Sequence, residues 1–173
     1  MLLAVAIAYI AAITTAIADN APAYTLGSGD KVRVTVYDEK DLSGEFDVND
    51  QGVVSLPLIG PVQVGGKTLS EVGETITKAY AKNYLVNPQV SVEVLNYRPF
   101  FILGEVNRPN SYPYVSGMTV IEAVSLAGGY TPRADKSGIH IKHVNRPNEA
   151  EQSAQEDTRI LPGDVIRVGE RFF

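Results

Sequence analysis

The chain of 173 residues fits one ordinary domain or two small ones, and a composition of 45% hydrophobic and 20% charged residues indicates a globular protein. The net charge is -5 and no basic cluster is present, which argues against nucleic acid as a partner. The absence of cysteine excludes disulfides, thiolate metal sites, cysteine nucleophiles and acylation of an N-terminal cysteine.

Residues 1–18 are predicted to be a signal peptide. An apolar run of about 13 residues leads to Ala16-Ile17-Ala18, which has the small-x-small pattern of a cleavage site, followed by the polar pair Asp19-Asn20. The run is shorter than the roughly 20 apolar residues of an ordinary transmembrane helix. Because no basic residue precedes it, a start site placed too late and an uncleaved membrane anchor are the alternatives. We expect the rest of the chain to lie outside the cytoplasm.

Residues 24–95 are predicted to form a first α+β unit. Alternating valines predict a half-buried strand at 32–36, and shorter strands are expected at 46–48, 53–56 and 62–64, with Pro61 separating the last two. Pro57 marks an edge or a bulge because proline cannot donate to a strand ladder. A capping box from Thr68 to Glu71 opens a predicted helix, and a closing strand follows Asn87-Pro88.

Residues 97–173 are predicted to form a second α+β unit. A strand is expected at 100–103, a return strand at 112–115, and a helix that begins at a capping box from Thr119 to Glu122. Further strands are expected around Ile139 and Ile141 and after Gly163-Asp164, whereas the polar stretch 146–157 is expected to be an exposed loop. Two units of about 70 residues have marginal cores, so packing against each other or against neighbouring copies would stabilise them.

Residues between these elements are predicted to be structural turn residues. In LGSGD and LPGD a glycine and an aspartate precede a valine-rich strand; the glycine permits a positive φ, and the aspartate can bond nearby amides. Asparagine and proline in VNRPN are expected to hold the reversal after strand 100–103. The predicted turn residues are Gly29, Asp30, Gly104, Asn107, Pro109, Gly128, Gly129, Gly163 and Asp164.

No catalytic constellation is evident in the sequence. His140 and His143 are three residues apart, which places them on opposite faces of a strand and argues against a shared metal ion. No nucleophile elbow, P-loop or dinucleotide fingerprint occurs, and the pair Asp38-Glu39 is expected to be solvated. We therefore expect no enzymatic activity, no metal and no cofactor.

Four of the nine tyrosines cluster around the turns of the second unit. Such rings could stack on sugars, and ordinary half-buried tyrosines with hydrated hydroxyls are the alternative. The candidate sugar-contacting residues are Tyr97, Tyr112, Tyr114 and Tyr130.

Several segments resemble one protein family. YTLGSGDKVRVTVY, DQGVVSLPLIGPVQVGGKTLSEV and NPQVSVEVL resemble the polysaccharide export domain of Wza-like outer-membrane polysaccharide export proteins. FFILGEVNRPNSYPYVSGMTVIEAVSLAGGYTPRA resembles their soluble-ligand-binding β-grasp (SLBB) module, and LPGDVIRVGERFF resembles that module's closing strand. The resemblance covers residues 24–172 and implies an export domain at 24–95 and an SLBB β-grasp domain at 97–173.

The resemblance implies a non-catalytic protein of the periplasm, associated with the outer membrane, whose copies form a ring around a conduit for capsular polysaccharide or exopolysaccharide. The implied partners are identical copies, the polysaccharide as cargo, an inner-membrane polysaccharide co-polymerase and an outer-membrane partner. The best-known members carry a lipidated cysteine and a C-terminal amphipathic helix; this sequence lacks both and resembles the short GumB-like members. A monomeric periplasmic module that binds a saccharide or a peptide is the alternative.

Overall fold

A computed structural model describes residues 24–144 and 150–171, and the predicted signal peptide lies outside the described residues. The elements of the first half are β1 (Lys31–Val36), a 3-10 helix (Lys40–Leu42), β2 (Gly44–Asp47), β3 (Val53–Leu56), β4 (Gly60–Gln63), α1 (Leu69–Asn83) and β5 (Val90–Asn96). Those of the second half are β6 (Phe100–Gly104), β7 (Asn110–Tyr112), α2 (Val120–Leu126), β8 (Ala134–Lys142), β9 (Gln152–Ala154) and β10 (Val165–Glu170).

The first half packs helix α1 against an antiparallel sheet of strand order β2-β1-β5 and a hairpin of β3 and β4. The alternating valines of β1 are buried, and they meet the helix side chains Val72, Ile76 and Tyr80 in one core. The Tyr80 hydroxyl donates to the Pro57 carbonyl oxygen at 3.1 Å, so its polar end is satisfied inside that core. The capping box at Thr68 and Glu71 is present, as predicted.

The second half is a five-stranded sheet of order β7-β6-β10-β8-β9, in which only the pair β6–β10 is parallel. Helix α2 contributes Val120 and Val124 to a core built with Phe100, Ile139 and Ile166. The capping box at the start of α2 is also present. Both halves combine helices with sheets, so the predicted α+β class is confirmed.

Three sequence predictions differ from the structure. Pro61 lies inside β4, opposite Ser55, instead of separating two strands; a two-stranded hairpin leaves ladder positions where no donor is needed. The return strand is β7 at Asn110–Tyr112 and not 112–115, because Pro113 follows and cannot donate to β6.

The third difference is β9, which lies in the stretch predicted to be a loop. Gln152 and Ser153 are exposed and only Ala154 is buried, so this short edge strand has too little apolar alternation to be recognised. Within residues 24–144 and 150–171, no helix has the length and hydropathy needed to cross a membrane.

Candidate functional site at the junction of the two halves

A buried ion pair joins the linker between the halves to the start of β1. Arg98 is 8% exposed and Asp30 is fully buried. The Arg98 Nη1 donates to Asp30 Oδ2 at 2.8 Å, and the backbone amide of Arg98 donates to Oδ1 at 2.9 Å. Both carboxylate oxygens are therefore held by the same residue of the linker, 68 positions further along the chain.

The turn before β1 builds the rest of the Asp30 environment. Gly29 has φ 88, a left-handed conformation that favours glycine, and it lets the chain fold back so that the Gly27 amide donates to Asp30 Oδ2 at 2.7 Å. The Tyr24 hydroxyl also donates to Oδ2. Burial is the main cause that raises the pKa of Tyr24, and the hydrogen bond to a carboxylate raises it further. The phenol therefore stays protonated and acts as a donor.

The turn before β10 repeats this arrangement in the second half. Gly163 has φ 85, and the Leu161 amide donates to Asp164 Oδ2 at 2.7 Å, again from three residues upstream. His143 Nδ1 lies 2.9 Å from Asp164 Oδ1. Burial raises the pKa of Asp164, and the bonds from Leu161 and His143 act in the opposite direction.

The two turns meet around Arg98. A Cβ atom added to Gly27 would overlap Arg98 Nη1, and one added to Gly163 would lie 2.6 Å from Arg98 Nε. The Phe101 amide donates to the Asp164 carbonyl oxygen at 2.8 Å, which ties β6 to the second turn directly after the linker. We call this set of residues the junction: Tyr24, Gly27, Asp30, Arg98, His143, Gly163 and Asp164. Polar bonds hold the linker residue Arg98 to the first half, and the Gly163 turn of the second half packs against the same side chain.

The polar side chains of the junction bond to other groups of the protein and hold its turns in position. Each of its carboxylates forms hydrogen bonds with at least two groups of the protein itself. Among the residues that the structure describes, no group of three histidine, aspartate or glutamate side chains could hold a metal ion.

The other predicted turn residues lie at the far end of the second half, away from the two aspartate turns. Gly104 has φ 89, and a Cβ there would collide with the Val168 carbonyl oxygen of β10. Asn107 Nδ2 donates to the Gly128 carbonyl oxygen at 2.7 Å, and the Asn107 amide donates to Gly129 at 3.0 Å. This arrangement joins the β6–β7 turn to the end of α2. Pro109 is exposed on the β6–β7 turn.

The candidate tyrosines fall into two places. Tyr97, Tyr112 and Tyr114 line one groove between the linker and the segment after β7. Tyr130 lies elsewhere, beneath Lys136, whose Nζ is 5.1 Å from the ring centroid. Burial and the neighbouring Glu156 carboxylate raise the pKa of Tyr130 to about 12.

Arg98, the central residue of the junction, was not among the residues predicted from sequence. The sequence VEVLNYRPFFIL places a single arginine in a very short connection between two apolar strands. A connection this short and apolar indicates that the arginine is at least partly buried and therefore paired. For His143 the sequence argued only against a metal ion shared with His140; its partner Asp164 is 21 residues away in sequence and therefore not visible from spacing.

A half that packs one helix against a three-stranded sheet and a hairpin, followed by a half with a five-stranded sheet and one helix, defines a two-module α+β protein. Residues 18–95 match the model of the polysaccharide biosynthesis/export protein family, and residues 99–153 match the model of the SLBB domain. The chain therefore contains a domain of the polysaccharide biosynthesis/export family followed by an SLBB domain.

Several characterised proteins are similar in sequence. The exopolysaccharide production protein ExoF of Rhizobium meliloti is 37% identical over 155 residues, which cover 82% of this chain and 37% of ExoF. The polysialic acid transport protein KpsD of Escherichia coli is 29% identical over 128 residues, covering 72% of this chain and 23% of KpsD.

The EPS I polysaccharide export outer membrane protein EpsA of Ralstonia nicotianae is 28% identical over 186 residues, covering 88% of this chain and 49% of EpsA. The chain therefore spans less than half the length of each of these three relatives.

Proposed function

We propose that this protein is a non-catalytic subunit of an export conduit for an exopolysaccharide or capsular polysaccharide, and that its copies assemble into a ring. The observation that carries the proposal is the order of the two family domains, export domain first and SLBB domain second, in a chain similar to proteins named for polysaccharide export and transport. The cargo would be a polysaccharide, and the site of action the periplasm and the outer membrane.

The junction supports a role in assembly. A closed ring requires every copy to present its two faces at the same angle, because a subunit that varies in shape gives open or irregular chains. The buried pair of Arg98 and Asp30, with glycines packed against the guanidinium, holds the two halves in one orientation. A subunit whose halves keep one orientation is suited to repeated side-by-side packing.

Exposed apolar side chains supply surfaces for such contacts. Val86 is 99% exposed at the loop after α1, and Val115 is 63% exposed near the start of α2. Phe101 is 46% exposed on the sheet face opposite α2, next to the partly exposed Leu103. Groups of exposed apolar residues on a small protein commonly mark interaction surfaces.

The proposal includes partners on both sides of the periplasm. An inner-membrane polysaccharide co-polymerase would deliver the growing chain, and an outer-membrane partner would complete the path out of the cell. The support is by similarity, since EpsA of Ralstonia nicotianae is named as an export outer membrane protein.

Mass photometry and electron microscopy of the purified protein, alone and with membranes that contain the co-polymerase, test the proposal. We expect one discrete oligomer with a central opening, and loss of polysaccharide secretion when the gene is deleted. The ring would be refuted if the purified protein stays monomeric under both conditions and the deletion strain still secretes polysaccharide. Those results would favour a monomeric binding module.

A further inference from the structure

A groove lies beside the junction, between the linker and the segment that follows β7. It has a volume of about 470 Å³, within the range of about 300–1,000 Å³ that small-molecule sites occupy. Its walls include Tyr97, Pro99, Tyr112, Pro113 and Tyr114. Five ring-bearing residues therefore line one shallow depression, contributed by the linker before β6 and by the end of β7 with the segment after it.

The aromatic rings of this groove are fixed before any ligand arrives. Tyr97 packs edge-to-face between Tyr24 and Tyr114, with centroid distances of 5.1 and 5.3 Å. The Tyr112 hydroxyl donates to the Arg108 carbonyl oxygen at 2.7 Å, which orients that ring. Rings held in this way lose little conformational entropy when a ligand binds, so the groove is pre-organised.

The polar groups of the groove are neutral, and some have no partner. The hydroxyls of Tyr97 and Ser111 and the side-chain amide of Asn96 make no hydrogen bond to any residue within 24–144 and 150–171. No aspartate, glutamate, lysine, arginine or histidine is among the residues that line the groove. A charged ligand would lose hydration here without finding a counter-charge among the lining residues.

A hexopyranose matches this combination of surfaces. One face of the sugar ring carries C–H groups that can lie against an aromatic ring, and its edge carries hydroxyls that both donate and accept hydrogen bonds. A lipid anchor would instead require a deeper apolar slot. The mixture of rings and neutral hydrogen-bonding groups therefore favours an uncharged saccharide.

We propose that this tyrosine groove binds uncharged hexopyranose units of a polysaccharide. The proposal rests on the proposed function, which supplies the polysaccharide as cargo, and it identifies where this chain contacts it. The groove is shallow and open, so binding is weak, with a dissociation constant on the order of millimolar. Weak sites suit a conduit, because a polymer held tightly by each subunit would not move on.

Nuclear magnetic resonance of the full chain, with 15N labelling and 13C-labelled tyrosine, tests the groove. Maltohexaose and cellohexaose are the uncharged probes, each added to about 50 mM so that millimolar binding saturates, and a galacturonic acid hexamer is the charged probe. We expect saturable shifts at Tyr97, Tyr112 and Tyr114 with at least one uncharged probe. Tyr84, exposed at the end of α1 and outside the groove, should not shift.

Matched variants separate the groove from ordinary surface tyrosines. Tyr97→Leu should weaken binding at least about tenfold, as stacking on an aromatic ring is lost, whereas Tyr84→Leu should leave it unchanged. Should Tyr97→Leu fail to fold, Asn96→Ala combined with Ser111→Ala keeps every ring and should still weaken binding several-fold. Absence of shifts with both uncharged probes, binding only of the charged probe, or equal binding by the Tyr97 and Tyr84 variants would overturn the proposal.

The groove and the ring can fail separately. Rings seen by mass photometry together with no sugar shift refute the groove and leave the conduit standing. Saturable shifts at the three tyrosines in a protein that never oligomerises support the groove and refute the ring.

Discussion

Removing the carboxylate of Asp30 should destabilise the protein far more than removing an exposed carboxylate from the same sheet. In Asp30→Ala the guanidinium of Arg98, whose side chain is 9% exposed, loses the carboxylate to which it donates, and the amides of Gly27 and Arg98 lose their acceptor. Breaking a buried pair from one side typically costs about 3–5 kcal/mol. That is a large share of the roughly 5–15 kcal/mol that stabilises an ordinary domain.

The matched control is Glu45→Ala. Glu45 pairs with Arg33 at 3.0 Å, but both side chains are about half exposed, and such pairs contribute less than about 1 kcal/mol. Urea denaturation followed by circular dichroism gives the free energy of unfolding of each variant. A double variant with Asp30→Ala and Arg98→Met should cost clearly less than the sum of the two single changes, because the interaction between the two side chains is then lost only once.

Two results would contradict a stabilising, coupled pair of Asp30 and Arg98. One is a loss below about 1 kcal/mol for Asp30→Ala, the same as for Glu45→Ala. The other is simple additivity in the double variant, which would mean that the two charges do not depend on each other.

Three further predictions concern single sites. Gly163→Ala should lower the free energy of unfolding by more than about 2 kcal/mol, because it combines a left-handed φ with a clash against Arg98. The control Gly66→Ala should cost only about 1 kcal/mol, because Gly66 has φ 77 but no atom lies within 4 Å of the added Cβ. Equal losses in urea denaturation would contradict this prediction. Hydrogen bonds from Thr68 hold the pKa of Glu71 below 4.5, so its contribution to stability is present above that pH and is lost as the pH falls through the lowered folded pKa; a carboxyl 13C titration showing a value at or above 4.5 would contradict this. A titration of 13C-labelled tyrosine should show one phenol with a pKa near 12 that disappears in Tyr130→Phe, and an unchanged set of curves would remove Tyr130 as its source.

The local elements of the fold could be predicted from sequence because their signals lie within a few residues. The valines of β1 alternate, and both helices begin with a threonine followed three residues later by a glutamate. These patterns depend on backbone periodicity and on hydrogen bonds between near neighbours. They gave the strands and helices to within a few residues, apart from the short polar strand β9.

The junction could not be assembled from sequence, because its partners are distant along the chain. The LGSGD and LPGD turns were recognised as one signature that occurs in both halves, but nothing in their spacing indicates that both pack around Arg98. The groove was visible only as a loose grouping of tyrosines, and folding brings three of them together while Tyr130 remains apart. Long-range pairing depends on the tertiary arrangement, which local propensity does not encode.

The bond from the linker amide to Asp30 has a consequence for dividing this protein into fragments. A piece that ends at residue 96 retains the Asp30 carboxylate in a buried position but lacks the arginine that neutralises it. A piece that adds Arg98 but not the Gly163 turn leaves the guanidinium uncovered on one side. The linker between β5 and β6 is thus a poor boundary for separate fragments, and the two halves should unfold in one cooperative transition.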